Sequence, residues 1–350
     1  MLKKLNVKSH KGPYTVYFYN DLKTVFKKTI GIEDFIIVDS KVFSIYKYLF
    51  TRIKKNKIFI VKANEDSKTI NNLIPLIENL VDAGFRKQFN VVAIGGGVIQ
   101  DITCFLSTII MRGFEWKYIP TTLLAQADSC IGSKSSINIS NGKNILGTFS
   151  PPKEISLCLE FLNSLDKKEI MSGVGEIIKV HAIDGISSLN YLSTNFESIM
   201  INFSTLEEFI IRSLKIKKKY VEIDEFDINE RNIFNFGHSF GHAIETITNY
   251  KIPHGIAITI GMKIAVNVSK GLGFVGKDYA DLIISVLNKN IKIPKNISFD
   301  PNLIVQAMSK DKKNTKNHYR IILPKGKKGS IVVHKIKPDN EFLKLVENAL

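Results

Sequence analysis

The chain has 350 residues, 44% of them hydrophobic, a mean hydropathy near zero, a formal net charge of +16 at pH 7, and three cysteines with no CxxC pair. That length accommodates two domains with cores of their own; the composition excludes a disordered or fibrous chain, a membrane span of roughly 20 apolar residues, and a disulfide framework, so a reducing cytoplasm is the expected compartment. Nearly all the positive charge is lysine spread along the chain, which argues against a dedicated nucleic-acid surface.

The first residues, MLKKLNVKSHKGPYTVYFY, lack the apolar stretch of a secretory signal. Over 14–164, short β-branched runs alternate with longer helical patterns, the sign of a parallel sheet covered by helices. The clearest strands are FIIVD (35–39), KIFIV (57–61), NVVAIGG (90–96) and WKYIP (116–120). Between them SKTINNLIPLIENLVDAGF (67–85) repeats Leu and Ile at three and four, a helical period. The lysine run at 54–57 reads as a solvated face, whereas an anionic substrate is a separate reason for the run at 215–219. From about 168 to 287 the pattern is mainly helical, and YRIILP and SIVVHKI then flank a KGKKG turn as a strand pair. The expected architecture is an α/β nucleotide-binding domain over 1–167 followed by a mostly helical domain over 168–350.

Three clusters carry chemistry. Gly95-Gly96-Gly97-Val98-Ile99-Gln100-Asp101 follows a strand and opens a helix. Glycines there let backbone N–H groups approach a pyrophosphate, and the helix N-terminus favours an anion. Asp39 ends an earlier strand, where an acidic residue either hydrogen-bonds a ribose or simply closes a turn. Next, Thr121, Thr122, Asp128, Lys134, Asn138, Lys143 and Asn144 place hydroxyls, amides and lysines among small residues, a polar pocket suited to phosphates and sugar hydroxyls. The third cluster lies in the helical half: Glu176 and Lys179 in SGVGEIIK, His238 and His242 in RNIFNFGHSFGH, and His254 in PHG. Histidines grouped with a carboxylate suit Zn²⁺, and three protein ligands leave a coordination position open for catalysis. Spacing alone pairs His238 with His242, four apart on one face if the segment is helical throughout.

In this order the segments GGGVIQD, MRGFEWKYIPTTLLAQADS, GKNILGTFSPP, SGVGEIIK, RNIFNFGHSFGHAIE and PHG resemble the 3-dehydroquinate synthase family of the sugar phosphate cyclase superfamily, over about 38–313. The resemblance implies an N-terminal Rossmann-like domain, a C-terminal mainly α-helical domain, an active site between them and a homodimer. It implies NAD contacts at Asp39, Glu65, Lys68, Gly96, Gly97, Val98, Asp101, Thr121, Thr122 and Lys143. It assigns a divalent metal, Zn²⁺ or Co²⁺ with Fe²⁺ also possible, to Glu176, His238 and His254. His242 then moves to the substrate side, against the spacing argument. The remaining substrate contacts it implies are Asp128, Lys134, Asn144, Lys217, Arg231, Asn235 and the Asp311-Lys312-Lys313 segment. An arginine matching Arg112 reaches the neighbouring subunit's site in the family.

The implied reaction converts 3-deoxy-D-arabino-heptulosonate 7-phosphate to 3-dehydroquinate and phosphate, a shikimate-pathway step. A hydroxyl is transiently oxidised by NAD, phosphate leaves by β-elimination, the hydride returns, and an internal aldol reaction closes the ring. Lys134, Asn144, His242 and a C-terminal lysine are the expected phosphate contacts. Lys217 and Arg231 are the expected carboxylate clamp, which cyclases of neutral sugar phosphates do not need. Catalytic roles are thus expected at Lys134, Glu176, Lys179, Lys217, Arg231, Asn235 and His242. The chain departs from the family at Gln100 (commonly Gly), at GSKSS over 132–136 (commonly GGKTG) and at Ala63 (commonly Asp). These departures read as drift or as the mark of a paralogue with a related substrate, such as an amino-dehydroquinate synthase. An iron-type polyol dehydrogenase shares the implied fold and stays open at this point.

Overall fold

The structure is a computed structural model that describes residues 4–139, 142–291, 298–309 and 314–350. Asp311, Lys312 and Lys313 lie outside the described residues. The chain divides into two compact units, Met1–Asp166 with Lys217–Phe226, and Lys167–Ile216 with Asp227–Leu350.

In the first unit, short apolar runs form a seven-stranded sheet. Its strands are β1 (Lys4–Val7), β2 (Tyr14–Tyr19), β3 (Phe35–Asp39), β4 (Ile58–Val61), β5 (Val91–Gly95), β6 (Trp116–Pro120) and, beyond a small hairpin of β7 (Ile137–Ile139) with β8 (Gly142–Leu146), β9 (Glu154–Cys158). The sheet order is β1-β2-β9-β6-β5-β3-β4, parallel throughout except for β1 against β2. Strands covered on both faces need apolar side chains pointing both ways, which is why FIIVD and VVAIG read as unbroken hydrophobic runs. Ile36, Val38, Val92, Ile94 and Ile119 pack with Leu22, Val25 and Phe26 of helix α1 (Leu22–Thr29) in one buried cluster. Phe35, turned the other way, meets Phe85 edge-on at 5.1 Å, and Phe85 meets Phe114 at 5.0 Å.

Helices α2 (Ser40–Ile45), α3 (Ile70–Asp82) and α4 (Gly97–Ile109) connect these strands. The strand expected at 57–61 begins at Ile58; Lys57 belongs to a short 3-10 turn, its Nζ 2.6 Å from Glu33. From β3 the chain moves outward to β4 at the sheet's edge, whereas from β5 it moves the other way to β6. The carboxyl ends of β3 and β5 therefore flank a topological switch point, where open α/β sheets receive ligands. Asp39 ends one of these strands and the glycine turn follows the other.

The second unit is built on helices α5 (Lys167–Asp184) and α6 (Ile186–Ile201), most of α7 (Phe203–Ile223), α8 (His238–Ile247), α9 (His254–Gly271) and α10 (Lys277–Asn290). The strand pair expected near the end is present as β10 (Tyr319–Lys325) antiparallel to β11 (Ser330–Ile336). Helix α5 is buried at every residue from Met171 to Ile183, and α9 packs against α5, α8 and α10. Glycines allow that approach: a Cβ on Gly255 would lie 1.8 Å from the Ser172 carbonyl oxygen, and one on Gly175 2.3 Å from that of Gly255. The 231–242 segment is not helical throughout. A 3-10 turn covers Glu230–Asn235, Gly237 takes a left-handed φ of 79°, and α8 then starts at His238. His238 and His242 still share a face of α8, because both lie within its ten residues.

Candidate active site

At the β5 turn, Gly96 is the N-cap of α4 and no side chain caps that helix, so the backbone N–H groups of its first turn face outward with the helix dipole behind them. A Cβ at Gly97 would meet nothing within 4 Å, whereas one at Gly96 would press Thr122 Cγ2 at 2.9 Å. Gly96 is thus needed for packing, and Gly97 leaves the approach clear. The end of β6 is tied to this turn: the Thr121 N–H donates to the Gly95 carbonyl at 3.0 Å and Thr122 Oγ1 accepts from Ala125 N at 3.3 Å. Asp39 caps α2, accepting from Lys41 N at 3.0 Å, and burial raises its carboxyl pKa. These features fit the pyrophosphate and ribose of a dinucleotide.

Five of the expected contacts form one network beside that turn. Lys68 Nζ, almost fully buried, lies 2.7 Å from Asp101 Oδ2, 3.8 Å from Glu65 Oε1 and 3.3 Å from Asn144 Oδ1; Lys143 Nζ lies 3.6 Å from Glu65 Oε2. A buried ammonium needs such acceptors. Asn144, expected on the substrate, thus sits with the residues expected on the cofactor.

The departures from the family acquire partners here. Ser136 donates to Asp101 through N (3.1 Å) and Oγ (3.0 Å). Gln100 exchanges two 2.7 Å hydrogen bonds with Ser129. Ser133 holds a left-handed φ of 64°, and its Oγ donates to Glu225 Oε1 at 2.6 Å. Burial pushes the Glu225 carboxyl up, but hydrogen bonds from Ser133, Ser9 and His10 outweigh it and hold its pKa below the usual range. Lys134 follows directly and bridges Phe149 in a backbone pairing. Asp128 lies in a π-helical turn, Ala125–Ser129, a form frequent at functional sites. Its carbonyl and Oδ1 hold Lys217 Nζ at 2.5 and 2.8 Å. Arg112 is exposed, in a run of three positive φ values from Met111 to Gly113.

In the second unit, ligand atoms of Glu176, His238 and His254 all lie within 4.8 Å of one another. The Gly175 and Gly255 contact carries Glu176 of α5 up to His254 of α9, with 3.5 Å between Glu176 Oε1 and His254 Nε2. The ring centroid of His238 is 5.5 Å from that of His254. His238 Nδ1 faces the Phe236 carbonyl at 3.3 Å; a carbonyl only accepts, so Nδ1 carries the proton and Nε2 offers its lone pair. Burial drives the Glu176 carboxyl up, yet Lys179 and His254 overcome it and keep it ionised, well below the usual range. Lys179 is ion-paired with Glu176 one turn along α5 and lies 5.9 Å over the Phe234 ring. One carboxylate and two imidazoles fit a divalent transition metal.

His242 joins this group, its ring 5.2 Å from His238 and 5.9 Å from His254. It belongs to a second metal-sized set with Glu245 and His254, so geometry leaves His242 beside the first triad and outside it. Arg231, buried, and Asn235, half-buried, lie on the 3-10 turn leading into α8, where Asn235 Nδ2 donates to the Asn232 carbonyl at 3.0 Å. Sequence reasoning missed Glu245, Glu225 and Ser129. Glu245 had a signal, since 238, 242 and 245 fall on one helical face. Glu225 and Ser129 had none, because only the fold brings them to Ser133 and Gln100.

Residues 58–172 match the family described as 3-dehydroquinate synthase N-terminal, and residues 173–314 that described as 3-dehydroquinate synthase C-terminal. A 3-dehydroquinate synthase of Thermoanaerobacter sp. (strain X514) is 35% identical over 346 residues, covering 95% of this chain and 97% of that protein. Among solved structures, 2-deoxy-scyllo-inosose synthase complexed with carbaglucose-6-phosphate, NAD⁺ and Co²⁺ superposes with a TM-score of 0.82 at 22% identity, covering 99% of each chain. The 2-epi-5-epi-valiolone synthase of Streptomyces hygroscopicus subsp. jinggangensis 5008, with NAD⁺ and Zn²⁺ bound, gives 0.83 at 21% identity, covering 96% of this chain and 95% of that one. At those identities the two structures speak for the fold.

Proposed function

The chain belongs to the 3-dehydroquinate synthase family, and from that premise we propose that it converts 3-deoxy-D-arabino-heptulosonate 7-phosphate to 3-dehydroquinate and inorganic phosphate with NAD and a divalent metal. The observation that carries this reading is the convergence of Glu176, His238 and His254 in a chain matching both halves of the family. When bound, the nicotinamide supplies a hydride acceptor that later serves as donor, and the metal supplies Lewis acidity at the hydroxyl to be oxidised.

The residues divide the remaining work. Glu176, His238 and His254 hold the metal, and Lys179 fixes the Glu176 carboxylate through its ion pair. Gly96, Gly97 and Val98 give backbone N–H groups to the pyrophosphate, and Asp39 accepts from a ribose hydroxyl. Glu65, Lys68, Asp101 and Lys143 brace that turn with Thr121 and Thr122. Lys134, Asn144 and His242 bind the substrate phosphate, and Lys312 or Lys313 joins them in this reading. Lys217, held by Asp128, and Arg231 are the proposed contacts of the substrate carboxylate, and Asn235 is a further proposed substrate contact. Arg112, held in a left-handed backbone, serves the neighbouring subunit of a homodimer; such strain persists where a site uses it.

The carboxylate separates this reading from cyclases of neutral sugar phosphates. Supplied with metal and NAD, the purified chain is expected to release phosphate from the heptulosonate phosphate and not from glucose 6-phosphate or sedoheptulose 7-phosphate. Release from the neutral sugar phosphates alone would assign it to a related cyclase.

A further inference from the structure

Metal-binding imidazoles keep their aim only when the nitrogen away from the metal is also held. For His238 the Phe236 carbonyl does this. His254 has a different partner: its Nδ1 lies 3.2 Å from Glu245 Oε1, while its Nε2 is turned to Glu176 at 3.5 Å. The backbone between α8 and α9 sets up this contact. Thr248 N and Thr248 Oγ1 donate to the Ile244 carbonyl, and Tyr250 N donates to the Glu245 carbonyl at 2.8 Å. Asn249 and Tyr250 then take positive φ values of 49° and 58°. Asparagine visits this region readily but tyrosine does not, so the turn is held in place by its surroundings. It reverses the chain tightly enough for Glu245, near the end of α8, to reach His254, the first residue of α9.

We propose that Glu245 is the positioning residue of the metal centre: its carboxylate accepts from His254 Nδ1–H, fixes the tautomer and turns Nε2 toward Glu176 and His238. This rests on the metal reading of Glu176, His238 and His254. The competing arrangement is on the page as well, since His242, Glu245 and His254 are themselves close enough to share an ion. In that arrangement Glu245 is a ligand and His254 binds through Nδ1. The two arrangements use opposite nitrogens of one ring, so a single neutral His254 serves one of them at a time.

The test strips the full chain of metal and titrates it with Co²⁺ alone, reading the visible d–d bands and the dissociation constant. Glu245→Ala is expected to weaken Co²⁺ binding about 10–100-fold. Glu245→Gln, whose amide oxygen still accepts from Nδ1–H, is expected to fall between Ala and the unaltered chain. At saturation both variants keep the band shape of the unaltered chain, because the three ligands are the same. Circular dichroism shows which variants fold, and the near-isosteric Gln variant carries the test if Ala does not. Unchanged affinity in the folded variants, or a changed band shape at saturation, overturns the proposal; the second result makes Glu245 a ligand. If the unaltered chain binds no Co²⁺, or Glu176→Gln binds it as tightly, the metal reading fails and takes the inference with it.

Discussion

His181 is the clearest case of a single side chain with a measurable pH consequence. It is fully buried in α5, its Nδ1 lies 2.8 Å from Ser188 Oγ and its ring meets Phe209 at 5.1 Å. Burial lowers its pKa from 6.5 to about 4. Above pH 6.5 the ring is neutral in both states and favours neither. As pH falls toward 4, the unfolded chain takes up a proton that the folded chain refuses, and stability drops by up to about 3 kcal/mol. Urea unfolding at pH 7 and pH 4.5 is expected to show a smaller pH loss in His181→Gln than in the unaltered chain. Equal losses would mean that His181 titrates normally in the fold. Residues of this kind were hard to weigh from sequence. Asp39 was visible as a strand-end acid with two readings, and it caps α2 while lying at the switch point. From sequence Ser133 and Gln100 read as drift or as the mark of a paralogue, and only the structure supplies Glu225 and Ser129 as their partners.

At the scale of elements, the site depends on how closely α5 and α9 approach. Gly255→Ala drives a Cβ into the Ser172 carbonyl, and backbone on both sides leaves no flexible atom to yield. The helices must separate, so the variant is expected to lose about 3 kcal/mol or more and to bind Co²⁺ more weakly, since Glu176 and His254 part with them. Thermal unfolding and the Co²⁺ titration check this together; an unchanged melting temperature would contradict the packing argument. The elements themselves were legible to different degrees. FIIVD and WKYIP coincide with β3 and β6 because strands buried on both faces read as unbroken apolar runs. The β7 and β8 hairpin escaped notice, for its strands are short and are placed by tertiary pairings such as Thr69 with Asn138. Helical period put His238 and His242 on one face correctly. It had no means of choosing between them as ligands, because the set is closed by Glu176 and His254 from other helices.

For the whole molecule, composition said least and ordered motifs said most. The charge of +16, spread along the chain as lysine, singled out no partner, whereas six segments in sequence pointed to one family, and matches over 58–314 agree. No described helix is long and apolar enough to cross a membrane. In the proposed reaction the dinucleotide ends each turnover as it began, and this separates that reaction from that of an iron-type polyol dehydrogenase. The most direct test supplies the metal-loaded chain with the heptulosonate phosphate and NAD far below the substrate concentration, following phosphate and the 340 nm absorbance together. The account predicts many equivalents of phosphate per NAD with no net rise in absorbance. Phosphate release that stops at one equivalent per NAD, or NADH that accumulates in step with substrate consumed, would contradict it.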